Sequence, residues 1–442
     1  MPTQKIIAHV DVNNAFLSWT AAYRLQFLGE TLDLRTIPAV IGGDSKTRHG
    51  IVLAKSEPAK AMGIKTGEPL YQARQKCPHL QVFPPDYALY VQASQTLIAF
   101  LKERAPMVEQ YSIDEAWIDL SGTQRLYGPP LQAAYQIKND IRERMGFTVN
   151  IGLSTNKILA KTAGDFAKPD LLHTLFPEEI PDKLWPLPVK KLFQVGPASE
   201  KKLQAMGIFT VGQLAHTDPA RLRRALHKHG ETLWRFANGY GEDTLTEQMP
   251  LNKGYSHAMT AAQDVTERRE AHRILLSLCE TAAMRMRQDK QYGGCVGVFL
   301  RSHDFRHFVR QQQLAQPSDS TLEIYRQACR IFDRLWDGTT PLRQLGVSIS
   351  KVTAAPVRQM CLFEGQDYER LAKSDAAMDE IRRKFGEDAI FRACFLQSPV
   401  PSMGGGLSKE RRTGVTGPLP QDPAAAWEQE KNPLPGKRSE QE

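Results

Sequence analysis

The stretch EQYSIDEAWIDLSG, residues 109–122, sets two carboxylates side by side, Asp114 and Glu115, in a run that otherwise reads as β-strand. Adjacent acids repel one another and strand interiors tend to exclude them, so a positive charge is expected opposite. MVEQYSI and AWIDLSG read as two strands meeting near Asp114. Upstream, KIIAHVDV (Lys5 to Val12) is apolar and β-branched, a buried strand that ends in Asp11. If these strands are neighbours in one sheet, three carboxylates converge at one edge. Such a set suits Mg²⁺, a hard cation usually shared with substrate phosphates. A pair of ions there would activate an attacking hydroxyl and clamp the leaving oxygen of an in-line phosphoryl displacement. The plainer reading of any one acid is a solvated turn residue, which the apolar flanks of all three disfavour.

Around this motif, NNAFLSWTAAYRLQFLGE has helical spacing up to Gly29, and IPAVIGG and GIVLAKS look like short strands around the charged loop DSKTRH. A short helix and the strand-like LQVFP fill Tyr71 to Phe83, and a long helix covers about Tyr87 to Arg104. PLQAAYQIKNDIRERMG is a helix, FTVNIGLS a strand and TNKILAKTAGDFAKPD another helix. Strands and helices interleaved in this way predict an α+β sheet domain with helices on one face. After about Leu175, glycines at 196, 207 and 212 break the chain into short helices. EQMPLNKGYS (Glu247 to Ser256) looks like a linker, and Lys253 to Lys351 reads as a second, basic α+β domain. The last portion is rich in Gly, Pro and charge, and is expected to stay disordered.

At 442 residues the chain is too long for one ordinary core. Its net charge of +8 favours a polyanionic partner. The cysteines are scattered with no C-x-x-C pair, against a zinc site or a disulfide framework and in keeping with a reducing cytoplasm. No leader pattern and no run of 18 apolar residues occurs, so a soluble protein with no membrane association is expected.

HVDVNNAF, then YSIDEAWIDLSG about a hundred residues on, then NIGLSTNKILAKTAGDFAKP: these three motifs in this order resemble the Y family of DNA polymerases, the translesion enzymes, in their bacterial form. The resemblance runs from about residue 5 to 395. It implies an α+β multidomain fold, a right hand with a ferredoxin-like palm, small fingers, a helical thumb with a helix-hairpin-helix, and an α+β little finger. The family's metal ligands fall on Asp11, Asp114 and Glu115, with the backbone carbonyl of Val12, and two Mg²⁺ ions are the implied cofactor. Its aromatic steric gate against ribonucleotides, five positions after the first aspartate, falls on Phe16. Lys168, in FAKP, matches its triphosphate-binding lysine. In the fingers segment this sequence departs from the pattern, with Glu57 at the usual Tyr position and Lys60 at the usual Arg position. Lys60 could reach a phosphate as a point charge but could not fork bidentately. Gly50 and Ser56 are further close-approach positions there.

LFQVGPASEKKLQAMGI resembles the helix-hairpin-helix, in which Gly196 would let backbone N–H groups meet a DNA phosphate; a glycine between packing helices is the plainer reading. Arg301, Arg306 and Arg310, on a strand pair of the basic domain, are candidates for tracking a phosphate backbone. RQMCLFEG resembles the bacterial sliding-clamp-binding motif, through Gln359, Leu362 and Phe363; the apolar pair could instead dock on the protein itself.

The expected domains are palm (1–15 and 84–175), fingers (16–83), thumb (176–243), linker (244–252), little finger (253–354), clamp peptide with a C-terminal helix (355–396) and a disordered tail (397–442). The resemblance implies a cytoplasmic, monomeric DNA-directed DNA polymerase that works on primer-template DNA and dNTPs with the sliding clamp as partner. It would copy damaged templates at low fidelity. A palm-bearing nucleotidyl cyclase, or a non-catalytic DNA-binding protein of polymerase ancestry, are the alternatives. The first needs no thumb, basic domain or clamp peptide, and the second has no use for three intact acids.

Overall fold

The computed structural model describes residues 5–43, 50–247, 251–354 and 365–404, the side chains of 365–367 excepted. Gln359, Leu362 and Phe363 lie outside these residues, as does the tail from 405 onward. In chain order the strands are β1 (Ile7–Val12), β2 (Ala39–Gly42), β3 (Val52–Lys55), β4 (Gln81–Phe83), β5 (Met107–Gln110), β6 (Glu115–Asp119), β7 (Val149–Ser154), β8 (Leu172–Thr174), β9 (Gly254–Val265), β10 (Tyr292–Ser302), β11 (His307–Ser318) and β12 (Leu342–Thr353). Two compact units form, the first ending near residue 249 and the second beginning at 250. The α+β multidomain character expected from the interleaved pattern is present in both.

In the first unit the main sheet has the order β5-β6-β1-β7-β8. Strand β1 lies at its centre and is buried at every position. Successive side chains of a strand point to opposite faces. Ala8, Val10 and Val12 accordingly pack in the core beneath the helices Tyr87–Arg104 and Pro130–Met145, while Ile7 joins Trp117 and Ala160 on the other face. That second face is covered by the helix Lys157–Gly164, so helices pack on both faces of the sheet rather than on one. The helix can come so close because β7 carries Gly152, where a Cβ would stand 1.9 Å from the Ala160 carbonyl oxygen and 2.3 Å from the Gly164 nitrogen. It stops at Gly164, earlier than its helical pattern suggests, and the edge strand β8, which has no clear alternation, pairs parallel to β7.

Strands β3, β2 and β4 form a small sheet, with β4 parallel to β2. Ser56, a close-approach candidate in the sequence, is instead buried beside it. Its hydroxyl caps the helix Glu57–Ala61 by accepting from Ala59 N–H at 3.2 Å, and it donates to Ile37 O at 2.7 Å. Four short helices between Pro197 and Ala237 close around Leu203, Leu214, Leu222 and Leu233.

The first residues of the expected linker are packed rather than loose. Leu245 is buried against Ile7, Trp117 and Ala160, and Thr246 N–H donates to Glu109 Oε2 at 2.9 Å. One apolar side chain with a shelf to fill outweighs the polar composition of its neighbours.

The second unit is a four-stranded antiparallel sheet, β11-β10-β12-β9. The helices Arg268–Gln288 and Thr321–Leu335 bury Leu275, Leu278 and Phe332 against Val298 and Val347 of the sheet. The helix Gly365–Phe385 is held to them by charge. Arg287 pairs bidentately with Asp379 at 2.6 and 3.0 Å, and buried Glu280 faces Arg382 at 3.4 Å and Arg392 at 2.9 Å. Residues 397–404, assigned to the disordered tail by composition, are folded here. Val400 and Met403 are buried, and Gly404 N–H donates to Ser277 Oγ at 2.6 Å. A Cβ at Gly404 would stand 2.2 Å from Met259 Cε, so the glycine that lowers the average hydrophobicity is what lets the segment dock.

Candidate active site

The register of β1 with β6 sets Asp11 directly opposite Glu115, and just beyond that pair Val12 N–H donates to Asp114 O at 3.0 Å. The turn before β6 thus folds back over the end of β1. Asp114 there accepts from the Ser112 hydroxyl at 2.6 Å. Period-2 alternation puts His9 and Asp11 on the face covered by the helix Lys157–Gly164, and that helix supplies the positive charge the adjacent acids require. Lys161 Nζ donates to Glu115 Oε2 at 2.5 Å. His9 Nε2 lies 3.4 Å from the same oxygen. Lys168 pairs with Asp11, and at 2.9 Å with Asp165.

These pairings set the protonation of the site. Burial alone would raise the Glu115 carboxyl, but His9 and Lys161 together hold it down at about 2. Burial lowers the imidazole of His9, which therefore stays neutral. The Asp11–Lys168 pair responds unequally. Burial pushes the Asp11 carboxyl up despite the lysine, whereas for the half-exposed Lys168 burial is outweighed by the attraction of Asp11 and Asp165, which raises the ammonium to about 12.

One cleft brings together Asp11, Val12, Phe16, Lys60, Asp114, Glu115 and Lys168. Every candidate that the sequence placed at the reacting centre lines it. Phe16 is half-buried and stacks on Tyr90 with ring centres 4.3 Å apart, which fixes one face of the ring. Gly196 caps the helix Pro197–Ala205 with open space where a side chain would be. Arg301, Arg306 and Arg310 belong to the β10–β11 hairpin of the second unit.

Two features escaped the sequence. Lys161 sits in the middle of an apolar helix and is buried, and nothing local marks it as the partner of an acid 46 residues away. Glu57 is held by two neighbours: Asn14 Nδ2 donates to its Oε1 at 3.1 Å, and Lys60 pairs with it at 3.1 Å. The carboxylate at the usual Tyr position is therefore neutralised by the lysine at the usual Arg position. Among the described residues no group of three or more His, Cys, Asp or Glu forms a ready-made metal cage. Of the three carboxylates, Asp11 and Glu115 each pair with a lysine and Asp114 accepts from the Ser112 hydroxyl.

A central strand ending in an acid, an acidic turn folded against it and a lysine-lined cleft make up the palm of a nucleotide-polymerising enzyme, and the chain belongs to the impB/mucB/samB family of bacterial Y-family translesion polymerases. Residues 10–165 match that family, residues 252–362 its C-terminal domain and residues 177–208 its helix-hairpin-helix motif. The chain is 42% identical over 393 residues to the DNA polymerase IV of Clostridium acetobutylicum, covering 89% of this chain and 98% of that protein. It is 37% identical to the DNA polymerase IV of Moorella thermoacetica, across 84% of this chain and 93% of the relative. With the DNA polymerase IV 2 of Bacillus subtilis it shares 35% identity, across 90% and 96%. The fold is also similar to the solved structure of a Y-family DNA polymerase chimera, with a TM-score of 0.65, 20% identity, and coverage of 79% of this chain and all of that one.

Proposed function

We propose that this chain extends a primer 3′-hydroxyl on a DNA template with deoxynucleoside triphosphates, at low fidelity and past damaged bases. The observation that carries the reading is the opposition of Asp11 and Glu115 in one cleft with Phe16 and Lys168. Asp11, Asp114 and Glu115 line one cleft and offer the hard oxygen donors that suit Mg²⁺. Two such ions, when bound, supply Lewis-acid stabilisation of the attacking and leaving oxygens.

The chain's own residues do the rest. Lys168, already ionised and aimed into the cleft, offsets the charge of the triphosphate, and Lys60 adds a second ammonium from the fingers once it leaves Glu57. Lys161 keeps Glu115 ionised and in place. The Phe16 ring, backed by Tyr90 at the wall of the cleft, serves as the steric gate against a ribose 2′-hydroxyl. The backbone at Gly196 and the arginines of the second unit hold the DNA backbone without reading sequence. Gln359, Leu362 and Phe363 bind the bacterial sliding clamp, which raises the enzyme's effective concentration at a primer end.

Primer extension with Mg²⁺ and all four deoxynucleotides tests this, with the native protein beside Asp114→Ala and Glu115→Ala. Extension that both substitutions abolish is expected. Binding of primed DNA without extension by the native protein would favour a non-catalytic role.

A further inference from the structure

Phe305 stands in the turn between β10 and β11, 56% exposed and with φ +65°. Left-handed backbone is unfavourable for a bulky residue, so something must hold it there. Ser302 N–H donates to Arg306 O at 3.1 Å, Phe305 N–H to Ser302 O at 3.0 Å, and His303 N–H to Pro341 O at 3.0 Å. Asp304 accepts from the Ser302 hydroxyl and pairs with Arg306 at 3.0 Å. The ring is thus presented on a pinned turn.

Two guanidiniums lie against it, Arg301 with its Cζ 5.7 Å from the ring centre and Arg343 at 5.0 Å. Arg343 reaches the ring through an irregularity in the sheet. Strand β12 pairs Gln344 with Arg301 and Leu342 with Ser302, which leaves Arg343 as the extra residue of a β-bulge. Bulges re-aim side chains in this way. Further along β11, Phe308 and Val309 are 39% and 71% exposed. The one carboxylate of the turn, Asp304, is already committed to Arg306 and Ser302.

We propose that Phe305, Arg301 and Arg343 form a stacking platform for an unpaired nucleotide of a DNA strand. An exposed ring backed by guanidiniums offers a π-face to a nucleobase and positive charge to the flanking phosphates. A base within duplex DNA is stacked on both sides and has no face to give. The unpaired template is therefore the part of a primed substrate that fits. The inference rests on the polymerase reading and adds a second element held, beyond the duplex.

The test uses the full chain and two DNAs of equal duplex length, one blunt and one with a single-stranded template overhang, with 2-aminopurine placed in turn along the overhang. The native protein should prefer the overhang by about tenfold, the size of one stacked base, and should change 2-aminopurine fluorescence strongly at one or two positions. Phe305→Ala should bring the preference close to parity and abolish that fluorescence change, and Phe305→Trp should restore both. Arg343→Gln should give an intermediate preference. An unchanged ratio and fluorescence in a folded Phe305→Ala protein would overturn the platform, and so would an equal loss on both DNAs. Primer extension by the native protein in the same samples separates the two claims: extension without overhang preference removes the platform alone, and no extension removes the polymerase reading.

Discussion

Asp11 and Glu115 face each other across the β1–β6 pairing, and each is answered by its own lysine, Lys168 for the first and Lys161 for the second. A buried and a half-buried carboxylate side by side are tolerated only with such compensation. Glu115→Gln keeps the shape and removes the charge. It should lower the rate of nucleotide addition by roughly a thousandfold, several kcal/mol of lost transition-state stabilisation, with primed-DNA affinity changed little. Single-turnover extension and a binding titration on the same preparation check this.

The same pair predicts an acid limb of stability. Glu115 is held at about 2, below its ordinary value of 4.5, so its contribution is complete above pH ~4.5 and fades as the pH falls towards 2. The size is ~3 kcal/mol. Asp11, whose pKa is raised, acts in the opposite sense, since its protonation on acidification relieves a buried charge. Denaturant unfolding between pH 5 and pH 3 should show the native protein losing stability more steeply than Glu115→Gln.

Gly152 admits the helix that carries Lys161. Its missing Cβ would fall 1.9 Å from a backbone oxygen, which no side-chain rotation can relieve. Gly152→Ala should destabilise the first unit by ~3 kcal/mol or more, and lower extension by moving Lys161 off Glu115. A thermal melt together with the extension rate would show both, and an unaltered melting temperature would contradict the close approach.

Phe16 stacks on Tyr90 with planes inclined by only 6°. Phe16→Ala should let ribonucleotides in, raising their incorporation relative to deoxynucleotides by about a hundredfold or more, ~3 kcal/mol of lost discrimination. Tyr90→Ala, which unseats the ring without removing it, should give a smaller rise. Competition between a ribonucleotide and its deoxy counterpart reads the ratio directly.

Buried Glu280 pairs with Arg382 and Arg392 to hold the C-terminal helix on the second unit. Glu280→Ala leaves guanidiniums facing an apolar gap and should cost ~3–5 kcal/mol. Removal of Arg382 in the same chain should restore part of it, and equal melting temperatures for the single and double variants would show the pair to be uncoupled.

Much of this was legible in the chain. The apolar, β-branched run KIIAHVDV and the two strands meeting near Asp114 were readable as strands, because strand propensity is a local property, and they pointed to Asp11, Asp114 and Glu115 as the acids of one edge on condition that the strands were neighbours. Helices with strong periodicity were equally plain. Tertiary structure alone decided what each acid meets. Lys161 reaches Glu115 because Gly152 lets a helix settle on the sheet, and Glu57 is tied to Asn14 across 43 residues. Residues 397–404 likewise fold against the second unit despite their composition, and Arg343 finds Phe305 through a bulge. Partners of this kind are set by distance in space, which local pattern does not encode, and the charge balance of the cleft depends on them.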